Sequence, residues 1–117
     1  MCGNLLAMGK HRSLAVADAA EELAAAVIRL SDRTRRLLHR QQLKKSSQSI
    51  SANIAEGFGR VTLPERNSRL SIARGEAEET IRHLRANLAS NRITPADYWP
   101  LHNRAVTIVK MLNSLLA

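Results

Sequence analysis

Between Gly9 and Gly57 the chain carries neither glycine nor proline, and through that span its apolar residues recur at steps of three and four. Val16, Ala20, Leu23, Val27 and Leu30 trace one helical face, and Leu43, Ser47, Ile50, Ile54 and Phe58 trace another. An unbroken helix from Val16 to Arg60 would be about 67 Å long at 1.5 Å per residue, too long for a compact domain of this size. The stretch must therefore fold back on itself, and it must do so without either of the usual breakers. The expected turn lies between Ser31 and Arg36, with Ser31 or Thr34 capping a second helix that begins by Arg36. Cations crowd that N-terminus, which the helix dipole opposes.

The remaining punctuation completes an all-α pattern. Ser13 is placed to cap the first helix, which leaves residues 1–12 as a flexible N-terminal tail and residues 13–117 as one bundle domain. Leu5, Leu6 and Met8 of that tail can dock on a neighbour. Asp18, Glu21 and Glu22 fall in the early turns of the first helix and its arginines come later, as the dipole favours. Gly57 and Gly59 are placed to end the second helix through positive φ. Thr62, Leu63, Pro64 and Glu65 form a capping-box pattern for a third helix with Leu70, Ala73, Ala77, Thr80 or Ile81, Leu84 and Leu88 on its inner face. That helix should end near Asn91. Gly75 inside it costs about 1 kcal/mol against alanine, which suggests a close helix approach. Thr94, Pro95, Ala96 and Asp97 repeat the cap for a fourth helix whose face is Leu101, Ala105, Ile108, Leu112 and Leu115. Tyr98 and Trp99 in its first turn are suited to closing the core or anchoring a subunit contact. With only 3% aromatic residues among 44% hydrophobic content, the core must be Leu, Ile, Val and Ala, and no stretch alternates with the period of a strand. The expected architecture is an antiparallel up-and-down four-helix bundle.

The run SQSISANIAEGFGR, Ser47 to Arg60, is loaded with small residues that let neighbouring helices approach, and Asn53 and Glu56 interrupt it with polar groups on adjacent turns. Its NIAEGFGR core closely resembles the signature of the bacterial four-helix-bundle family named after open reading frames in 23S rRNA intervening sequences, and is similar to the accessory proteins of diversity-generating retroelements. Gln42 and Leu43, the run Leu70 to Gly75, Glu78 or Glu79, and Met111 with Leu112 extend the resemblance over roughly Leu23 to Leu116. The chain departs from the family where Ser51 or Ala52 replaces a usual proline, where Glu76 replaces a serine, and in a shorter first connection. The resemblance implies Asn53, Glu56, Gly57, Gly59 and Arg60 as a structural signature, and five bundles around an axis. From the residues themselves, Asn53 and Glu56 are expected to bond to a neighbouring helix or to backbone ends and so set packing register, with a polar patch at a subunit contact as the alternative. Val109, Leu116 and Phe58 read as spare apolar groups for a homo-oligomer.

Formal net charge is +8, and of 18 basic residues only Lys10, Lys44, Lys45 and Lys110 are not arginine. Arginine's planar fork favours phosphate or carboxylate, so a polyanionic partner is expected. The cations concentrate at Arg29, Arg33, Arg35, Arg36, Arg40, Lys44 and Lys45, against the one acid Asp32. With helix 2 beginning by Arg36, the side chains of Arg36, Arg40 and Lys44 would form one stripe. Nucleic acid, RNA or DNA, is the favoured partner and an acidic protein the alternative. The spacing of Arg33 and His39 resembles the arginine-histidine motif of certain small helical ribonucleases, in which a metal-independent cleavage would depend on His39. The Glu-x-x-His spacing of bundle di-metal sites is missing, so no metal or cofactor is expected, and the serines of helix 2 lack a nearby His and acid. Cys2 has no partner for an internal disulfide. The apolar run Asn4 to Met8 is too short for a signal peptide, and no stretch approaches the roughly 20 apolar residues of a membrane span. A cytoplasmic, non-enzymatic binding module is the resulting expectation.

Overall fold

The computed structural model describes the backbone of residues 2–117 and the side chains from Arg12 onward. Four helices, α1 (Cys2–Arg33), α2 (Arg40–Phe58), α3 (Leu63–Ala89) and α4 (Pro95–Leu116), pack in chain order into a bundle of 51 × 22 × 21 Å. Each touches its sequence neighbour and α1 touches α4, while the diagonal pairs make no contact among the described residues. This square, up-and-down arrangement is what short links between helices enforce. No helix among the described residues is long and apolar enough to cross a membrane.

The helical faces fall inward as the periodicity requires. Val16, Ala20, Leu23, Val27 and Leu30 of α1 are fully buried, as are Leu43, Ile50 and Ile54 of α2, Leu70, Ala73, Ala77 and Leu84 of α3, and Ala105, Ile108 and Leu112 of α4. Ser46 and Ser47 are buried too. Their hydroxyls bond back to the carbonyls of Leu43 at 3.2 Å and Lys44 at 2.9 Å, and Ser46 meets Thr80 of α3 at 2.8 Å. The two aromatic side chains of the fourth helix divide their roles. Tyr98 is buried and closes the core, whereas Trp99 is half exposed. Phe58, Val109 and Leu116 already pack against the core of one chain, so the larger exposed apolar groups are Leu14, Val61, Leu63, Ile72 and Trp99 instead.

Several termini differ from expectation. The α1 backbone is already helical at Cys2, so Ser13 lies inside the helix and does not cap it, and the stretch expected as a tail over residues 1–12 continues α1. Cys2 and the expected docking of Leu5, Leu6 and Met8 concern side chains outside the described residues. Thr62 and Thr94 do cap α3 and α4, accepting from the N–H groups of Glu65 at 3.3 Å and Asp97 at 3.2 Å. Neither Gly57 nor Gly59 uses positive φ: Gly57 is helical, and Gly59 has φ −85° with its N–H shared between the carbonyls of Ala55 and Glu56.

Gly57 is needed for space rather than for backbone freedom. A Cβ there would stand 3.2 Å from Arg69 Cβ, 3.2 Å from Leu70 Cδ2 and 3.3 Å from Arg66 O, all on α3. At Gly75 a Cβ would meet nothing within 4 Å, so the close approach expected there is absent from the chain's own packing. The two glycines should therefore respond oppositely in urea unfolding. Gly57→Leu is expected to lose about 1–3 kcal/mol by overpacking, while Gly75→Ala is expected to gain about 0.5–1 kcal/mol through helix propensity.

Candidate nucleic-acid interface

The link between α1 and α2 decides where the cations stand. Residues 34–39 are non-helical, and α2 begins at Arg40 rather than by Arg36. Neither proposed cap is used: Ser31 is still in α1, where its hydroxyl donates to Val27 O at 2.8 Å, and His39 precedes α2 in the left-handed region at φ 52° without a side-chain cap bond. The physical reason is the set of tertiary bonds that the link makes. Asn87 and Arg92 hold the backbone of Leu38 and Arg36 out of a helix, and Arg40 reaches back to the negative end of α1. Its guanidinium donates to the carbonyls of Ser31, of Thr34 at 2.5 Å and of Arg35 at 3.1 Å. Ser31 O is among the carbonyls that the end of α1 leaves without intrahelical partners, and the other two belong to the link itself.

Two residues of the α3 end fasten the same link. Asn87, fully buried, accepts from Leu38 N–H at 2.7 Å and donates to Leu38 O at 3.1 Å, pairing with that backbone as a second strand would. Its amide also donates to His83 O at 2.8 Å. Arg92, just past α3, donates to Arg36 O at 3.2 Å. Asn87 lay unremarked in the sequence because a lone asparagine on a helical face carries no signal until its opposite loop is known.

With the carbonyls of the link turned toward Arg40, Asn87 and Arg92, the side chains of Arg35 and Arg36 are left exposed. Arg33, Thr34, Arg35 and Arg36 line one wall of an open groove of about 500 Å³, and Ser90, Asn91 and Arg92 of the α3–α4 turn line the other. Asn91 has φ 57°, the left-handed geometry that ends α3. No acidic side chain lines the groove. Arg33 also donates to Asp97 of α4 at 2.9 Å, which fixes the turn carrying the opposite wall. Arg29 lies on the neighbouring α1–α4 surface with Arg33, Asp97 and Arg104.

The expected stripe of Arg36, Arg40 and Lys44 is thus not formed. Arg36 is in the link, Arg40 is occupied by carbonyls, and Lys44 and Lys45 stand on the first turns of α2 outside the groove. Lys45 acts on one acid of α3, Glu76. Burial, then repulsion from Glu79, holds the Glu76 carboxyl above the usual carboxylate range, and Lys45 pulls it down. Arg92, Ser90 and Asn91 are additions that only the folded chain supplies.

Arg33 and His39 are drawn to different helices. Arg33 reaches Asp97 of α4, while the His39 ring lies against the His83 ring of α3 with centroids 5.5 Å apart. The ring nitrogen Nε2 of His83 is buried, without a hydrogen bond and 3.6 Å from Glu79 Oε1. No group of three His, Cys, Asp or Glu side chains among the described residues is arranged to hold a metal.

The Asn53–Arg60 signature sits at the opposite end of the bundle, where α2 passes into α3. Glu56 binds Arg60 at 2.6 Å and reaches Arg69 of α3 at 3.4 Å, beside the close approach at Gly57. Asn53 stays on its own helix and donates to Ser49 O at 2.9 Å, so the crossing contact is made by Glu56 alone of the pair.

The link's dependence on Asn87 is measurable. Asn87→Ala strands the N–H and C=O of Leu38 and should cost about 1–3 kcal/mol in urea unfolding. Amide exchange should show Leu38 losing protection before the α3 core does.

Comparison with known proteins agrees with the four-helix fold. A family model described as 23S rRNA-intervening sequence protein matches residues 12–114. A crystal structure of a protein with unknown function from the S23 ribosomal protein family, from Bacteroides thetaiotaomicron VPI-5482, superposes with a TM-score of 0.85 at 27% identity, covering 90% of this chain and 97% of that one. No curated protein matches the chain significantly.

Proposed function

The chain belongs to the 23S rRNA-intervening sequence protein family, and from that premise we propose that it is a basic, non-enzymatic assembly protein that binds nucleic acid through phosphate contacts as a homo-oligomer. The observation that carries the reading is the acid-free groove lined by Arg33, Arg35, Arg36 and Arg92, on a link whose backbone carbonyls are bonded by Arg40, Asn87 and Arg92. Guanidinium forks suit phosphate oxygens bidentately, and a pinned loop loses little conformational freedom when they bind. Lys44 and Lys45 extend the positive surface along α2. Base readout should be slight, because Tyr98 is buried and neither Phe58 nor Trp99 lines the groove, leaving no ring there on which a base could stack.

Binding titrations over a range of salt concentrations test this reading. Wild type should lose affinity for RNA and DNA steeply as salt rises, because each neutralised phosphate releases counterions. Arg35→Gln, Arg36→Gln and Lys44→Gln combined should weaken all sequences alike and flatten the log–log slope by up to about three, roughly one per lost contact. Arg40 is left intact in that variant because its loss would release the link. Should wild type bind neither nucleic acid at low salt, the reading fails, and an acidic protein becomes the partner to seek.

Assembly is proposed to be a pentamer, the number that the family resemblance implies. Leu14, Ile72 and Trp99 are large apolar side chains left about half exposed on one chain, and covering them would offset part of the cost of association. Several grooves on one assembly would multiply weak phosphate contacts into avidity. Light scattering should return five times the 13.0 kDa chain mass. A single-chain mass across micromolar concentrations would exclude assembly, whereas a trimer would exclude only the number.

A further inference from the structure

We propose that the groove between the α1–α2 link and the α3–α4 turn receives the terminal phosphate of a nucleic-acid strand, in preference to the internal phosphodiesters along it. The inference rests on the nucleic-acid reading above and names the part of the strand this groove takes. Arg33, Arg35, Arg36 and Arg92 converge on one concavity with no carboxylate in its lining. An internal phosphodiester carries one charge, while a terminal phosphate monoester carries about −1.5 to −2 at neutral pH and a third strong acceptor oxygen, and a terminal triphosphate carries more. Arg35, Arg36 and Arg92, with Arg33 beside them already paired to Asp97, match the compact, multiply charged end better than a single link of the chain.

The donors are also available in the right number. A guanidinium has five N–H groups. Arg33 commits Nη2 to Asp97 and Arg92 commits Nη1 to Arg36 O, and both bonds hold the arginine in place while leaving further N–H groups for a ligand. Ser90 and Asn91 add polar groups on the wall opposite the link. At about 500 Å³ the groove falls within the size range of small-ligand clefts, room for a terminal phosphate group and the sugar that bears it. The base lies beyond the contacts that the groove supplies, so recognition depends on the end and not on the sequence.

One short single-stranded RNA prepared with a 5′-triphosphate, a 5′-monophosphate or a 5′-hydroxyl tests the assignment by fluorescence anisotropy with the full chain. The expected order is triphosphate, then monophosphate, then hydroxyl, with about tenfold or more between the last two, the scale of an added charge-assisted contact. Inorganic tripolyphosphate should remove the end-dependent part of binding. If tripolyphosphate alone binds more tightly than the triphosphorylated RNA, the strand end is overturned as occupant in favour of a free polyphosphate. Arg35→Gln, Arg36→Gln and Arg92→Gln combined should erase the ranking, with circular dichroism showing the helices intact. Lys44→Gln with Lys45→Gln should lower all three affinities and keep their order. Equal binding of the three RNAs by wild type, or a ranking that survives in the folded arginine variant, overturns the terminal-phosphate site while nucleic-acid binding stands. No binding of any RNA at low salt removes both.

Discussion

Asn87 holds the backbone of Leu38 by both its N–H and its carbonyl, and the cationic end of the molecule depends on that buried pairing. A chain without glycine or proline between α1 and α2 still has to reverse, and the reversal leaves peptide groups with no helical partner. Asn87 supplies one pair of partners from α3, Arg92 supplies one from beyond it, and Arg40 supplies three from the start of α2. Asn87 and Arg40 act from the protein side and Arg92 from the opposite wall of the groove, and the side chains of Arg35 and Arg36 are left exposed. The electrostatic surface is thus a consequence of how the turn is closed.

The two ends of the bundle show different uses of the same residue type. At the groove, Arg35 and Arg36 stand exposed in a lining with no acid, and only Arg33 beside them is paired, with Asp97. At the far end, Arg60 and Arg69 share Glu56 beside Gly57, where α2 and α3 come close enough that a Cβ would be crowded. Arginine at that end joins helices. Exposed ion pairs contribute little energy singly, so the contribution at this corner is chiefly to geometry, with the packing at Gly57 setting the approach.

Helix packing and polar closure meet at Ser46, Ser47 and Thr80. Small hydroxyl residues at the α2–α3 contact are fully or almost fully buried, and each satisfies itself on its own preceding turn. The interface therefore gains close approach without stranding a polar group. The same logic explains Ser31, whose hydroxyl is absorbed by Val27 O and is unavailable as a cap.

Much of the fold was legible in residue order. The faces of Val16 to Leu30, Leu43 to Ile54, Leu70 to Leu84 and Leu101 to Leu112 follow from helical spacing, and the threonine caps at 62 and 94 from local backbone chemistry, because both depend on neighbours within a turn or two. The concentration of positive charge near Arg35 was equally a local property. Tertiary structure decided the rest. Whether Arg40 faced a ligand or the carbonyls of α1 depended on where α2 began, and that depended on Asn87 and Arg92, about fifty residues away in sequence. Gly57 and Gly75 look alike in the chain, yet only the approach of α3 distinguishes a position that needs the missing Cβ from one that does not. Sequence determines which residues share a helical face, since that spacing is fixed by covalent geometry; the partners across the bundle are set by packing, which no local pattern encodes.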